Sequence, residues 1–90
     1  MGKIKMWILY ILRCADNTLY TWITTSLERR LQEHNNSPKW AKYTRIRRPV
    51  EVVFSMSFDS RSEATKEELN IKKMTKLEKE RLITWYSSYV

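Results

Sequence analysis

A chain of 90 residues with 17 Lys+Arg against 10 Asp+Glu carries a formal charge of +7, enough to attract polyanions in a length that allows one domain. At 42% hydrophobic and 12% aromatic it is too apolar for disorder, and no apolar run approaches the ~20 residues of a membrane span. Cys14 alone excludes an internal disulfide, and one cysteine beside one histidine is no zinc framework. The short apolar stretch 6–12 lacks a small-residue cleavage site, so a reduced, cytoplasmic setting is expected.

Residues 6–12 form an unbroken apolar run with β-formers, the pattern of a strand covered on both faces. Turn chemistry comes next in Ala15-Asp16-Asn17-Thr18, then a second strand pattern over 19–24, together a β-hairpin. Tyr10 and Tyr20 share a face of that hairpin only if its loop has an odd number of residues, and Trp22 would then join them. Their ordinary fate is packing in the core. Thr25 with Glu28 reads as a capping box opening a helix to about His34, which Asn35-Asn36-Ser37-Pro38 stops. Val50, Val52, Phe54, Met56 and Phe58 alternate with Glu51, Ser55 and Ser57, predicting a strand with one buried face that Val53 interrupts. Ser60 with Glu63 opens a helix to about Met74, and Thr75 with Glu78 opens another carrying Leu77, Leu82 and Ile83. The order ββαβαα predicts an α/β (α+β) fold on a small, mainly antiparallel sheet.

The helices place charges on their inward stripes. Leu27, Arg30, Leu31 and His34 fall within one stripe of the first helix, and Ala64, Glu68 and Ile71 within one of the second. Ionised groups facing a core are costly unless paired, metal-bound or open to a wet cleft. One reading is a buried Arg30–Glu68 ion pair beside a satisfied core histidine. The other gathers a cation, an imidazole and a carboxylate at one concave site, a set suited to phosphodiester hydrolysis. Between the first helix and the third strand, Lys39, Lys42, Arg45, Arg47 and Arg48 place five cations in ten residues, interleaved with Trp40 and Tyr43. Cations for phosphates and rings for stacking favour nucleic acid over a merely solvated loop. Lys66, Lys72, Lys73, Lys76 and Lys79 are offset by Glu67, Glu78 and Glu80 and read as a solvated face.

Taken in order, Trp7-Ile8-Leu9-Tyr10-Ile11-Leu12, Leu19-Tyr20-Thr21-Trp22, the segment 24–35 with Arg30 and His34, and Glu68 with Ile71-Lys72-Lys73 resemble the GIY-YIG endonuclease superfamily, in particular its small stand-alone bacterial branch. The likeness covers nearly the whole chain. It implies a three-stranded antiparallel sheet flanked by helices. It also implies a metal-dependent endonuclease acting on DNA, which we read as branched, nicked or single-stranded. Nothing in the sequence resembles a sequence-reading helix, so specificity is expected to be low and shape-based. Tyr10 would be the general base, Tyr20 would position the phosphate, Arg30 would stabilise developing charge and His34 would assist proton transfer or orient the phosphate. Glu68 would be the single protein ligand of one Mg²⁺ or Mn²⁺. Ile8 stands in place of the first motif glycine and Trp22 in place of the second, and Trp40 and Ile46 stand where relatives commonly have glycine. An indole at position 22 fills space that glycine leaves open. The alternative is therefore a catalytically impaired nucleic-acid-binding module whose site Trp22 obstructs. Trp85, Tyr86 and Tyr89 keep open a third option, an aromatic interface for a partner protein.

Overall fold

The first apolar run becomes the middle of the sheet. In the computed structural model, which describes residues 6–36 and 47–89, β1 (Trp7–Cys14) lies between β2 (Leu19–Thr24) and β3 (Val50–Phe58), antiparallel to both. Leu9, Tyr10, Ile11 and Leu12 are fully buried, as a strand covered on both faces requires. The hairpin loop is residues 15–17. Asn17 donates its N–H to the Cys14 carbonyl (2.9 Å) and Cys14 donates to the Thr18 carbonyl (2.9 Å), while Asn17 sits at φ 69°. That is a type I turn closed by a left-handed residue, a place asparagine tolerates. Asp16 fixes the turn by accepting from the Thr18 N–H (3.1 Å) and hydroxyl (2.6 Å). With this odd loop Leu12 pairs with Tyr20 and Tyr10 with Trp22, so Tyr10, Tyr20 and Trp22 share a face.

β3 departs from the alternation expected of it. Phe54 pairs with Ile11 but Val52 pairs with Leu12, leaving Val53 as an extra, bulged residue. Side chains on either side of such a bulge point to opposite faces from those that simple alternation assigns. Val50 and Val52 therefore pack with Tyr10, Leu12 and Cys14, while Phe54 packs with Leu9 and Ile11.

The helices are α1 (Leu27–Asn36), α2 (Arg61–Lys72) and α3 (Lys76–Ser87). The capping box expected at Thr25 and Glu28 is displaced by one residue. β2 runs through Thr24, whose hydroxyl accepts from the Ser26 N–H (3.0 Å), and the Ser26 carbonyl takes the first helical bond, from Arg30 (3.1 Å). Ser60 caps α2 by accepting from Glu63, and Thr75 with Glu78 forms a complete capping box on α3. Lys73 closes α2, just before Met74.

Against one sheet face α2 and α3 bury Ile71 and Ile83 on Leu9, Ile11 and Phe54. Burying a side chain such as Phe54 contributes roughly 2–3 kcal/mol. α3 is also tied to the central strand, where Arg13 grips Glu80 through two bonds (2.8 and 2.6 Å). That guanidinium, with Lys76 adding, holds the Glu80 carboxyl down at about 2. α1 covers the other face through Leu27 and Leu31. Its C-terminal end is docked to the start of β3, because the Asn35 amide brackets Val50, accepting from its N–H (2.8 Å) and donating to its carbonyl (3.1 Å).

Candidate active site

Beneath α1 the sheet face is polar at its centre. Tyr10 comes from β1 and His34 from the last turn of α1, and the Tyr10 hydroxyl lies 3.1 Å from His34 Nε2, with both residues fully buried. Tyr20 packs its ring edge-on against the imidazole, centroids 5.2 Å apart. Burial lowers the His34 pKa to about 4, the Arg30 cation adding to the effect, so the ring is neutral at physiological pH. Burial also raises the Tyr10 pKa, with the neighbouring Tyr20 adding and Arg30 opposing. The phenol keeps its proton. With the His34 hydrogen on Nδ1 the phenol donates to Nε2, and with it on Nε2 the ring donates to the phenol oxygen. Tyr20 is likewise raised by burial, with Glu68 adding and Arg30 opposing, so one electrostatic neighbourhood spans all five residues.

Beside this cluster lies a cleft of about 350 Å³ lined by Trp7, Trp22, Ile23, Arg30, Arg61, Thr65 and Glu68. Glu68 is buried, 7% exposed, and its Oε2 has no aligned hydrogen-bond donor among the described residues. Among the described residues, the ion pair that one reading allowed between Arg30 and Glu68 is replaced by a pair within each helix. Arg30 pairs with Glu33 (3.2 Å) and Glu68 with Lys72 (3.3 Å). The Lys72 ammonium also sits 4.5 Å from the centroid of the Trp22 ring. Trp22, 40% exposed, stacks alongside Tyr20 at 6.1 Å and 23°, so it stands at the mouth of the cleft. Among the described residues no three His, Cys, Asp or Glu side chains gather into a metal cage. A lone carboxylate with an orphaned oxygen, in a cleft where phosphate and water can supply the rest, suits a hard divalent ion such as Mg²⁺.

Tyr10, Tyr20, Arg30, His34 and Glu68 are thus brought together. The basic segment divides. Lys39, Lys42, Tyr43 and Arg45, with Trp40 and Ile46, lie outside the described residues. Arg47 pairs with Asp16 through Nε (3.0 Å), and Arg48 donates through Nε to the His34 carbonyl and through a second nitrogen to the Glu33 carbonyl (3.3 Å). Those carbonyls end α1, where a cation is favoured by the helix dipole. Arg48 therefore helps to fix the backbone that carries His34. Lys72 is the residue that sequence reasoning missed, since composition groups it with a solvated lysine face. The available signal was its place one helical turn after Glu68.

The family model for the GIY-YIG catalytic domain matches residues 6–81. The chain belongs to the GIY-YIG family. Within it the relatives are UPF0213 proteins, a small stand-alone group. The UPF0213 protein of Desulfotalea psychrophila is 51% identical over 77 residues, covering 86% of this chain and 70% of the relative. That of Syntrophus aciditrophicus is 53% identical over 74 residues, covering 82% of this chain and 85% of the relative. Among solved structures, an E. faecalis protein determined by solution NMR superimposes with a TM-score of 0.62 at 45% identity, covering 94% of this chain and 91% of that one. The UPF0213 protein of Bacillus halodurans, also an NMR structure, gives 0.59 at 39% identity, covering 89% and 84%. A GIY-YIG domain is a nuclease-type domain and implies contact with nucleic acid. Among the described residues no helix is long and apolar enough to cross a membrane.

Proposed function

We propose that this GIY-YIG protein is a metal-dependent phosphodiesterase that cuts DNA at branched, nicked or single-stranded places with low sequence specificity. The observation that carries the reading is the cleft shared by Arg30 and Glu68, where the buried Glu68 oxygen is approached by Lys72 but has no aligned hydrogen bond among the described residues. Glu68 would hold one Mg²⁺ or Mn²⁺, which when bound supplies a Lewis acid at a phosphoryl oxygen. Arg30, steadied by Glu33, places positive charge where the pentavalent phosphorus gathers negative charge. As general base Tyr10 would pass its proton to neutral His34 across the 3.1 Å contact while taking one from the attacking water, a step that requires substrate binding to open the fully buried phenol to that water. Tyr20, at the boundary between the buried pair and Trp22, orients the phosphate. Low specificity is in keeping with a site built on charge, with no helix presented for reading base edges among the described residues.

Nicking of supercoiled plasmid and of a forked duplex in Mg²⁺ or Mn²⁺ tests this with wild type, Glu68→Ala and Trp22→Gly side by side. The expected result is cutting by wild type that falls roughly 100-fold or more in Glu68→Ala, the scale of a lost electrostatic group. A second reading is favoured by Trp22 standing at the cleft mouth, held by Tyr20 and Lys72. If wild type is silent and Trp22→Gly cuts, the natural chain is a nucleic-acid-binding module with an obstructed site. Silence from all three variants defeats the nuclease reading.

A further inference from the structure

Two cations lie near the cleft that Glu68 lines, and they are held differently. Arg30 is anchored on its own helix by Glu33 at 3.2 Å, whereas Lys72 reaches back one turn to the Glu68 oxygen at 3.3 Å. The Glu68–Lys72 contact has charge but no aligned hydrogen bond, since Oε2 has no donor in bonding geometry among the described residues. Charge attraction without a directional bond is easily exchanged. On its other side the ammonium rests over the Trp22 ring, 4.5 Å from its centroid. The Lys72 side chain is 40% exposed, so it has solvent to move into, while the Glu68 side chain it neutralises is only 10% exposed and does not.

We propose that Lys72 is a built-in occupant of the cation position at Glu68, steadied there by Trp22, and that a divalent ion binds only by displacing it. This rests on the reading of Glu68 as the metal ligand. The physical reason is exclusion by charge. Once a divalent ion is bound, the ammonium is repelled by two positive charges and attracted by one negative charge at similar distances, so it is the ammonium that leaves. The arrangement keeps a buried carboxylate neutralised when no ion is present, which an isolated buried charge requires. It also gives Trp22 a task beyond filling space, because its ring face is what holds the ammonium over the cleft.

The test is a Mn²⁺ titration of the ¹⁵N-labelled protein without nucleic acid, following paramagnetic broadening of the backbone amides around Glu68. Wild type, Lys72→Met, Lys72→Gln, Lys73→Met, Trp22→Leu and Glu68→Gln are compared, each first shown by its dispersed spectrum to be folded. Lys72→Met and Lys72→Gln are expected to tighten Mn²⁺ binding roughly fivefold to tenfold, the scale of a part-buried charge pair. Lys73→Met removes the same charge from the adjacent exposed lysine and is expected to change it less than about twofold. Trp22→Leu should tighten it by an intermediate factor. Unchanged or weaker binding in both Lys72 variants overturns the proposal, as does equal tightening in Lys73→Met, which would reduce the effect to net charge. Broadening that persists in Glu68→Gln sinks the metal-ligand reading itself. Its loss there, with no gain in the Lys72 variants, sinks the displacement alone.

Discussion

The two faces of the central strand are buried to the same degree by different chemistry. On one, Leu9 and Ile11 meet Phe54, Ile71 and Ile83, and the contacts are hydrocarbon. On the other, Tyr10 and Leu12 lie beneath α1, where an imidazole meets a phenol and both are closed off from solvent. The apolar face asks only for volume and shape. The polar face must satisfy each hydrogen bond and hold its histidine neutral, which costs stability whenever protons are plentiful. This small domain therefore keeps its stability on the first face and gives some up to the buried polar pair on the second.

Substitution is expected to do most damage on the apolar side. Phe54→Ala, a cavity at a fully buried site, is expected to lose about 3–5 kcal/mol in urea unfolding, enough to leave much of the chain unfolded. On the polar side the largest effect is one of pH. His34 titrates near 4 when folded against 6.5 when free, so as acid is added the unfolded chain takes up the proton first. Stability is then lost progressively below about pH 6.5, reaching roughly 3 kcal/mol by pH 4, and His34→Phe should flatten that window. Urea midpoints measured between pH 7 and 4 for both proteins decide it. Tyr10→Phe leaves His34 Nε2 without its phenolic partner and should cost about 1–2 kcal/mol while stopping DNA cleavage, a separation that no substitution among Leu9, Ile11 and Phe54 should give. The smallest effect is at the part-exposed strap from β1 to α3. Arg13→Ala is expected to cost no more than about 1 kcal/mol, and carboxyl NMR should find Glu80 returned towards the ordinary glutamate range.

Much of this division was visible in the order of the residues. An unbroken apolar run at 6–12 matches a strand covered twice, and the even numbering of Tyr10 and Tyr20 required an odd turn, which Asn17 provides. The inward stripes carrying Arg30, His34 and Glu68 came from helical period alone. Three features were not legible, each for a tertiary reason. The bulge at Val53 depends on how β3 is registered against β1, and alternation within β3 cannot show it. Thr25 and Ser26 are both good caps, and the choice between them is set by how far β2 continues before the chain turns. For Lys72, its place one turn after Glu68 could suggest the ion pair, but composition grouped it with a solvated face, and the Trp22 ring that comes from a distant strand to meet it could not be read from the sequence.

The sheet order has a consequence for how the chain is made. β1 and β2 emerge first and form a hairpin, but β1 finds its second neighbour only when β3 arrives, Trp7 pairing with Phe58 and Cys14 with Val50 half a chain later. Until then the most apolar strand of the protein presents an open row of backbone donors and acceptors, and a lone hairpin is barely stable in water. Chains whose hairpin has emerged while β3 is still held in the ribosome should therefore pair with one another through β1, making that interval the one of greatest aggregation hazard during synthesis.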